Sequence, residues 1–496
     1  MTRKNRIIVF LSIVVLFTSF LYALIKYLKE YFYVSFEMLI VMFFANTTGT
    51  GSDVYIQAAK YIIPRMFLFM FIFFAFLYII DPDNQTIISN ICYKKNNKKI
   101  TLNITNLLLA YVFIMMILIQ IKSLNDLGLF SYIKKINDKT YIYENEYVSP
   151  DDVSISAKKK KNLIYIYLES MEVGFASKEN GGLLDYDLIP NLRELAAENT
   201  YFSFNEDVGG FHSFTRTSWT VSALLGSESG IPYAFPVGSN SMRNDISFAP
   251  KIITLGDILE ENGYNQEFLC GSDSDFGGRR GFFKTHGNFR IFDYYDGLNN
   301  GYTDDYVWWG LDDRTLYEIA KDELAKLYKE GKPFNLTMLT VDTHHIGGDV
   351  CDLCNDEFDI QYANVVKCAD KQIGDFINWL KEQPYYEDTL IVISGDHPTM
   401  DGTLITEPDY QNRFTYECFI NSSVSSTNTK NREFNTLDMF PTILAAMGFE
   451  IEGDKLGLGT NLFSGKQTLE EKYGYSYLNS ELNKYSDFYA QSFYAE

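Results

Sequence analysis

Positive charge is in short supply in this chain: 43 Lys and Arg stand against 64 Asp and Glu, a formal net charge of −21 over 496 residues. So acidic a protein is repelled by the phosphate backbone, and no zinc-finger or helix-turn-helix spacing offsets that, so nucleic acid is excluded as a partner. Cysteine is sparse, with six residues. Neither an internal repeat nor a low-complexity tract appears, which removes solenoid and tract-based architectures. The length exceeds one typical domain, and the composition changes visibly near residue 122, so two parts are expected.

Apolar residues crowd the first part. Three stretches have the length and apolarity of membrane spans: IIVFLSIVVLFTSFLYALIKY (7–27), YIIPRMFLFMFIFFAFLYII (61–80) and TLNITNLLLAYVFIMMILIQI (101–121). A fourth candidate, 31–45, is interrupted by Glu37, which leaves an apolar run too short to cross. Arg3, Lys4 and Arg6 precede the first span, and Lys94, Lys95, Lys98 and Lys99 lie between the second and third. The positive-inside rule puts both clusters in the cytosol, makes 29–60 an extracytoplasmic loop with an interfacial or re-entrant piece, and places everything after Lys122 outside the cell. The uncharged run of the first span exceeds a signal-peptide core, so it reads as a retained anchor of a multi-pass cell-membrane protein. The expected organisation is a transmembrane part over 1–122, a juxtamembrane linker over 123–160 and an extracytoplasmic domain over 161–496. Within the linker, 126–136 has an apolar helical face suited either to the membrane surface or to ordinary packing.

From Asn162 onward buried apolar runs alternate with amphipathic ones. LIYIYL (163–168), EFLCGS (267–272), FNLTMLTV (334–341) and DTLIVISGD (388–396) read as strands. Residues 189–198, 253–263, 312–331 and 363–383 read as helices. That alternation predicts an α/β domain with a mostly parallel central sheet flanked by helices.

Chemistry gathers where those strands end. LIVISGDHPTM closes on Asp396-His397, a hard oxygen ligand beside an imidazole, and LIYIYLESME closes on Glu169. Between them FHSFTRTSWTVSALLGSESGIPY (211–233) carries Thr217 in a Thr/Ser-rich turn before an apolar run. Taken singly these have ordinary readings: a loop-satisfied Asp-His pair, a carboxylate at a helix N-terminus and an N-cap cluster. Jointly, at the carboxyl ends of strands in one α/β sequence, they predict a metal site of Glu169, Thr217, Asp396 and His397 with Thr217 as catalytic nucleophile. Two carboxylates, a hydroxyl and an imidazole suit Mn²⁺ or Mg²⁺ and admit Zn²⁺. Arg279 in the glycine-rich run SDFGGRRGFFK and His344 in TVDTHH offer cationic and hydrogen-bonding groups for a phosphate. Among the cysteines, Cys92 is expected on the inner side as a free thiol. Cys351-x2-Cys354 followed by Cys368 resembles half of a zinc motif without an obvious fourth ligand, and a disulfide from Cys368 to Cys351 or Cys354 is the preferred reading.

The ordered set YLES, TSWTVSALLGSESGIP, LTVDTHH, ISGDHPTM and NTLDMFPTILAAMGFEIEGDKLGLGTNLF resembles the alkaline phosphatase and sulfatase superfamily. Within it, the chain is similar to membrane phosphoglycerol transferases, a group that includes lipoteichoic acid synthases, and more so to their glucan-decorating branch. The resemblance covers roughly residues 160–465. It implies one metal ion, Mn²⁺ first among candidates, held at Glu169, Thr217, Asp396 and His397, with Arg279 and His344 as substrate residues. It further implies transfer of glycerol phosphate from phosphatidylglycerol to an envelope glycan or a polyglycerol phosphate acceptor. The family's tryptophan beside the substrate arginine is replaced here by Gly277. TSWTV lacks the Cys/Ser-x-Pro-x-Arg setting of a formylglycine sulfatase, whereas phosphoethanolamine transfer, or a membrane-anchored glycan-binding protein without activity, stays open as an alternative.

Overall fold

A computed structural model of the chain describes residues 3–32, 36, 52–79, 90–95, 98–157, 159–207, 209–234, 248–303 and 309–494. They fall into two compact units, one built on Met1–Leu39 and Gly51–Lys134 and the other on Lys135–Glu496.

The first unit contains helices α1 (Arg3–Phe32), α2 (Ser52–Ile79) and α3 (Ile104–Asp126), with a hairpin of β1 (Asn90–Lys95) and β2 (Lys98–Asn103) before α3. All three helices are long and apolar enough to cross a membrane, over Ile8–Lys29, Tyr55–Ile79 and Leu107–Asp126. Exposed Phe67, Phe71, Tyr78 and Tyr111 give the bundle an apolar outer surface, which water does not tolerate and lipid does. The chain is therefore a membrane protein. Two boundaries differ from expectation. Residues 101–103 pair in the hairpin, so the third span starts later and runs on to Asp126, and α2 begins at Ser52, inside the stretch expected as a loop. The interfacial piece expected within 31–45 lies almost wholly outside the described residues.

In the second unit a short strand, β3 (Ile155–Ala157), pairs antiparallel with Phe449–Ile451, and the rest is organised by one seven-stranded sheet. Its strands are β4 (Asn162–Leu168), β5 (Gly210–Phe211), β6 (Asn265–Cys270), β7 (Arg290–Phe292), β8 (Phe334–Leu339), β9 (Thr389–Gly395) and β10 (Thr415–Ile420), in the order β5-β10-β9-β4-β8-β6-β7. From β9 to β7 every pairing is parallel; β10 runs antiparallel to both β9 and β5. Strands covered on both faces must be apolar at successive positions, and β4 and β9 are. Their period-two geometry divides the side chains between two cores. Leu163, Tyr165, Leu390 and Val392 face one, while Ile164, Ile166, Ile391 and Ile393 face the other. Helices α4 (Thr220–Ser229) and α7 (Met439–Met447) contribute to the first core, and α5 (Asp313–Lys329) and α6 (Gln361–Lys381) to the second. Each fully buried Leu or Ile contributes about 1.5–3 kcal/mol relative to exposure. The layered, mostly parallel α/β architecture is the expected one; the antiparallel strand β10 at Thr415–Ile420 was not anticipated.

Candidate active site

Strands β4 and β9 lie side by side in register, Leu168 opposite Gly395, so the next residues of each, Glu169 and Asp396, emerge together at the same edge. Gly395 admits no side chain there, since a Cβ would stand 2.0 Å from the Met171 carbonyl oxygen. That close approach lets the backbone turn at once, and both the Ser170 amide and the His397 amide donate to Asp396 Oδ1 at 2.8 Å. With Oδ1 fixed, Oδ2 is buried without a hydrogen-bond partner and 3.3 Å from His397 Nε2. Glu169 Oε1 is 3.8 Å from the same nitrogen, and the three side chains offer ligand atoms that lie within 4.8 Å of one another. A buried carboxylate oxygen left unpaired beside an imidazole and a second carboxylate is unfavourable unless a cation sits there. The donor set, two hard oxygens and one nitrogen, fits a divalent metal ion.

The hydroxyl expected at this cluster is placed differently. Thr217 is fully buried, and its Oγ1 accepts from the Phe214 amide at 2.9 Å and from the Thr436 hydroxyl at 3.1 Å. It acts as a structural pin for the turn. Thr220 stands at the cluster instead: its Oγ1 is 3.3 Å from Glu169 Oε2 and 3.4 Å from His397 Nε2, and the residue is partly exposed. Thr220 is also the first residue of α4, where the unpaired amides and the helix dipole favour negative charge. The sequence carried this signal, because the apolar run VSALL begins directly after Thr220, which marks the helix start three residues beyond Thr217.

Glu169 and Thr220 line a small, open cleft together with Ser272, Phe276, Arg279, Trp309 and His344. Arg279 is placed by a turn in which Gly277 and Gly278 both adopt positive φ, 67° and 82°. A Cβ on Gly277 would meet Val221 Cγ2 at 2.6 Å, so a larger side chain at that point would crowd Val221. Trp309 brings an indole to the cleft from another segment, 5.2 Å from the Phe276 ring and 4.5 Å from His344. Arg279 donates from Nε to the Phe276 carbonyl and from Nη2 to Ser272 Oγ and the Asp273 carbonyl at 2.7–3.0 Å. Its neighbour Arg280 is committed to Asp275 and Asp293 at 2.7 and 2.6 Å, which separates a structural arginine from one that faces the cleft. His344 Nδ1 donates to the His345 carbonyl at 2.7 Å, so in the neutral ring Nε2 is the nitrogen left to accept a proton.

Electrostatics follow from burial. Burial, reinforced by the Glu169 charge, pushes Asp396 up to about 7. Glu169 is held below its usual range although burial opposes this, because His344, His397, Ser170 and Arg279 together outweigh it. His397 is raised for the matching reason: burial would lower it, but Asp396 and Glu169 dominate. Burial, reinforced by the charges of Glu470 and Asp257 respectively, also lifts Asp438 to about 7 and Glu228 to about 8. A carboxyl whose folded value lies above its unfolded one stabilises the fold fully below about pH 4 and loses that contribution as pH rises through 7 to 8. Metal-free protein should therefore unfold at progressively lower temperature from pH 5 to 8, followed by calorimetry, with added Mn²⁺ recovering more of the loss at pH 8 than at pH 5. A midpoint that rises over this range without metal would contradict the assignment.

Residues 161–449 match the family model described as Sulfatase. The chain belongs to the sulfatase family. Among curated relatives it is 33% identical over 326 residues to "Phosphoglycerol transferase I" of Escherichia coli O6:K15:H31 (strain 536 / UPEC), covering 63% of this chain. It spans 40% of the length of that relative. Among solved structures, the lipoteichoic acid synthase LtaP from Listeria monocytogenes aligns at 21% identity and TM-score 0.48 over 62% of this chain and 79% of that one. The lipooligosaccharide phosphoethanolamine transferase EptA from Neisseria meningitidis aligns at 13% identity and TM-score 0.48 over 88% and 84%. In this sulfatase-family domain the cluster of Glu169, Asp396 and His397 and the cleft-facing Arg279 all lie inside the matched region.

Proposed function

We propose that this chain is a membrane phosphoglycerol transferase whose nucleophile is Thr220. The observation that carries the reading is the half-exposed Thr220 hydroxyl set against Glu169 and His397 at the mouth of a cleft that also holds Arg279. Glu169, Asp396 and His397 would hold one divalent ion, Mn²⁺ in this reading. When bound, the ion would lower the pKa of the hydroxyl and neutralise phosphoryl charge.

The chain's own groups do the rest. Thr220 Oγ attacks phosphorus in a phosphatidylglycerol head group, diacylglycerol departs, and glycerol phosphate is left esterified to the threonine. The helix N-terminus and the Arg279 guanidinium stabilise the charge that develops on the phosphoryl oxygens. Trp309 and Phe276 wall the cleft and limit water. An acceptor hydroxyl, on an envelope glycan or a polyglycerol phosphate chain, then displaces the threonine as His344 Nε2 takes its proton. Burial lowers the His344 pKa, so the ring is a neutral base at physiological pH. This arrangement needs the domain outside the cell, beside the leaflet that supplies the donor, with the three apolar helices as its tether.

Full-length protein in phosphatidylglycerol-containing micelles with Mn²⁺ should yield a tryptic peptide carrying glycerophosphate on Thr220. A parallel incubation with phosphatidylethanolamine should leave that peptide unmodified. A phosphoethanolamine adduct in its place would reassign the donor, and an adduct on Thr217 would overturn the nucleophile.

A further inference from the structure

Away from the cleft, three sulfurs converge. Cys351 and Cys354 lie in the loop that follows His344, and Cys368 lies on α6. Cys351 Sγ is 3.6 Å from Cys354 Sγ and 3.9 Å from Cys368 Sγ, and all three sulfurs lie within 4.8 Å of one another. A disulfide requires about 2.05 Å, so the expected bridge from Cys368 is absent and the three thiols are free. Sulfurs bound at about 2.3 Å to one tetrahedral ion stand about 3.8 Å apart, the spacing seen here.

The fourth vertex is occupied. Gln372 lies one turn after Cys368 on the same face of α6, and its carboxamide nitrogen is 3.5 Å from Cys368 Sγ and 3.8 Å from Cys351 Sγ. Its carboxamide oxygen is buried without a hydrogen-bond partner, on a residue only 6% exposed. A half-turn of the amide exchanges oxygen for nitrogen without moving another atom. The oxygen then faces the sulfurs at about the edge length of a ZnS₃O tetrahedron, roughly 3.6 Å. One rotation gives the orphaned oxygen a partner and completes a ligand set, whose fourth member was not obvious in the sequence.

We propose that Cys351, Cys354, Cys368 and Gln372 form a structural zinc site, separate from the catalytic trio. Thiolates select a soft ion over Mn²⁺ or Mg²⁺, and four protein ligands leave no open position for chemistry. The ion clips the loop from Asp342 to Cys354 onto α6. That helix already holds the loop through Tyr362, which donates to the Thr343 carbonyl at 2.8 Å, and Gln361, which donates to the Gly347 and Gly348 carbonyls. Zinc thereby fixes the segment that carries His344.

The test uses full-length protein in detergent, purified without chelator or reductant. Elemental analysis should find one zinc per chain that survives Asp396→Asn, a change confined to the catalytic trio, and is lost in Cys368→Ser. Wild-type protein tests the same point without a variant: titration with p-hydroxymercuribenzoate should release that zinc to a colorimetric chelator, and all six cysteines should titrate as thiols after denaturation. Four thiols would mean a disulfide and overturn the proposal, as would six thiols with no zinc bound after incubation with the ion. For the fourth ligand, Gln372→Ala should lose zinc to EDTA about tenfold faster and Gln372→Glu more slowly. Equal rates in all three proteins would overturn that part of the assignment.

Discussion

Thr220→Ala is expected to reduce diacylglycerol release from phosphatidylglycerol by about 10⁴-fold or more, because a side chain that forms the covalent intermediate has no substitute within reach. Its fold should be little changed: Thr220 is half-exposed, and its hydroxyl makes only the long contacts to Glu169 and His397. Thr217→Ala should behave in the opposite way. It leaves the Phe214 amide unmatched in a fully buried turn and the Thr436 hydroxyl with only the longer contact to the His212 carbonyl, at a stability cost of about 1–3 kcal/mol, and retains turnover in the fraction that stays folded. Lipid turnover and thermal unfolding measured on both variants separate the two roles. If Thr217→Ala were the inactive, stable protein and Thr220→Ala the active one, the proposed nucleophile would be wrong.

Arg413→Met should be among the most destabilising single changes in the domain. Arg413 and Glu172 are both essentially inaccessible; the guanidinium donates from Nε to Glu172 Oε2 at 3.0 Å, from Nη2 to Oε1, and from Nη2 to the Thr399 carbonyl at 2.7 Å. The Thr399 amide in turn donates to Glu172 Oε1 at 3.0 Å. This pair ties the turn after β4 to the turn after Asp396-His397. Removing the cation strands a carboxylate in the interior, a loss of about 3–5 kcal/mol. Changing both partners to apolar residues of similar size should recover much of it. Urea unfolding of the single and double variants gives the coupling; a double variant no more stable than Arg413→Met would show that the desolvation argument fails.

Much of this was legible from residues alone because strands covered on both faces leave an unbroken apolar signature, and β4, β8 and β9 each carry one. Glu169 and Asp396 could be placed because each follows such a run directly. The sequence pointed to Thr217 while the structure sets Thr220 beside Glu169 and His397, because four hydroxyl residues stand within six positions and only the exact start of α4 decides which one is presented. Strand β10 escaped notice since TYECFI mixes polar and apolar positions, and its antiparallel course breaks the βα alternation. Trp309 was out of reach as well: its place in the cleft depends on a return from β7 that no local pattern encodes. Gln372 looks in sequence like any polar residue on a helix until two sulfurs are found beside it.

Because Glu169 and Asp396 project from adjacent strands held in fixed register, their separation belongs to the sheet itself, whereas Arg279, Trp309 and His344 are delivered by connections beyond β6, β7 and β8. Insertions or exchanges in those connections can reshape what the cleft accepts while the pair of carboxylates on the sheet stays untouched. Donor preference in such a scaffold is free to drift between relatives without the reaction centre being rebuilt.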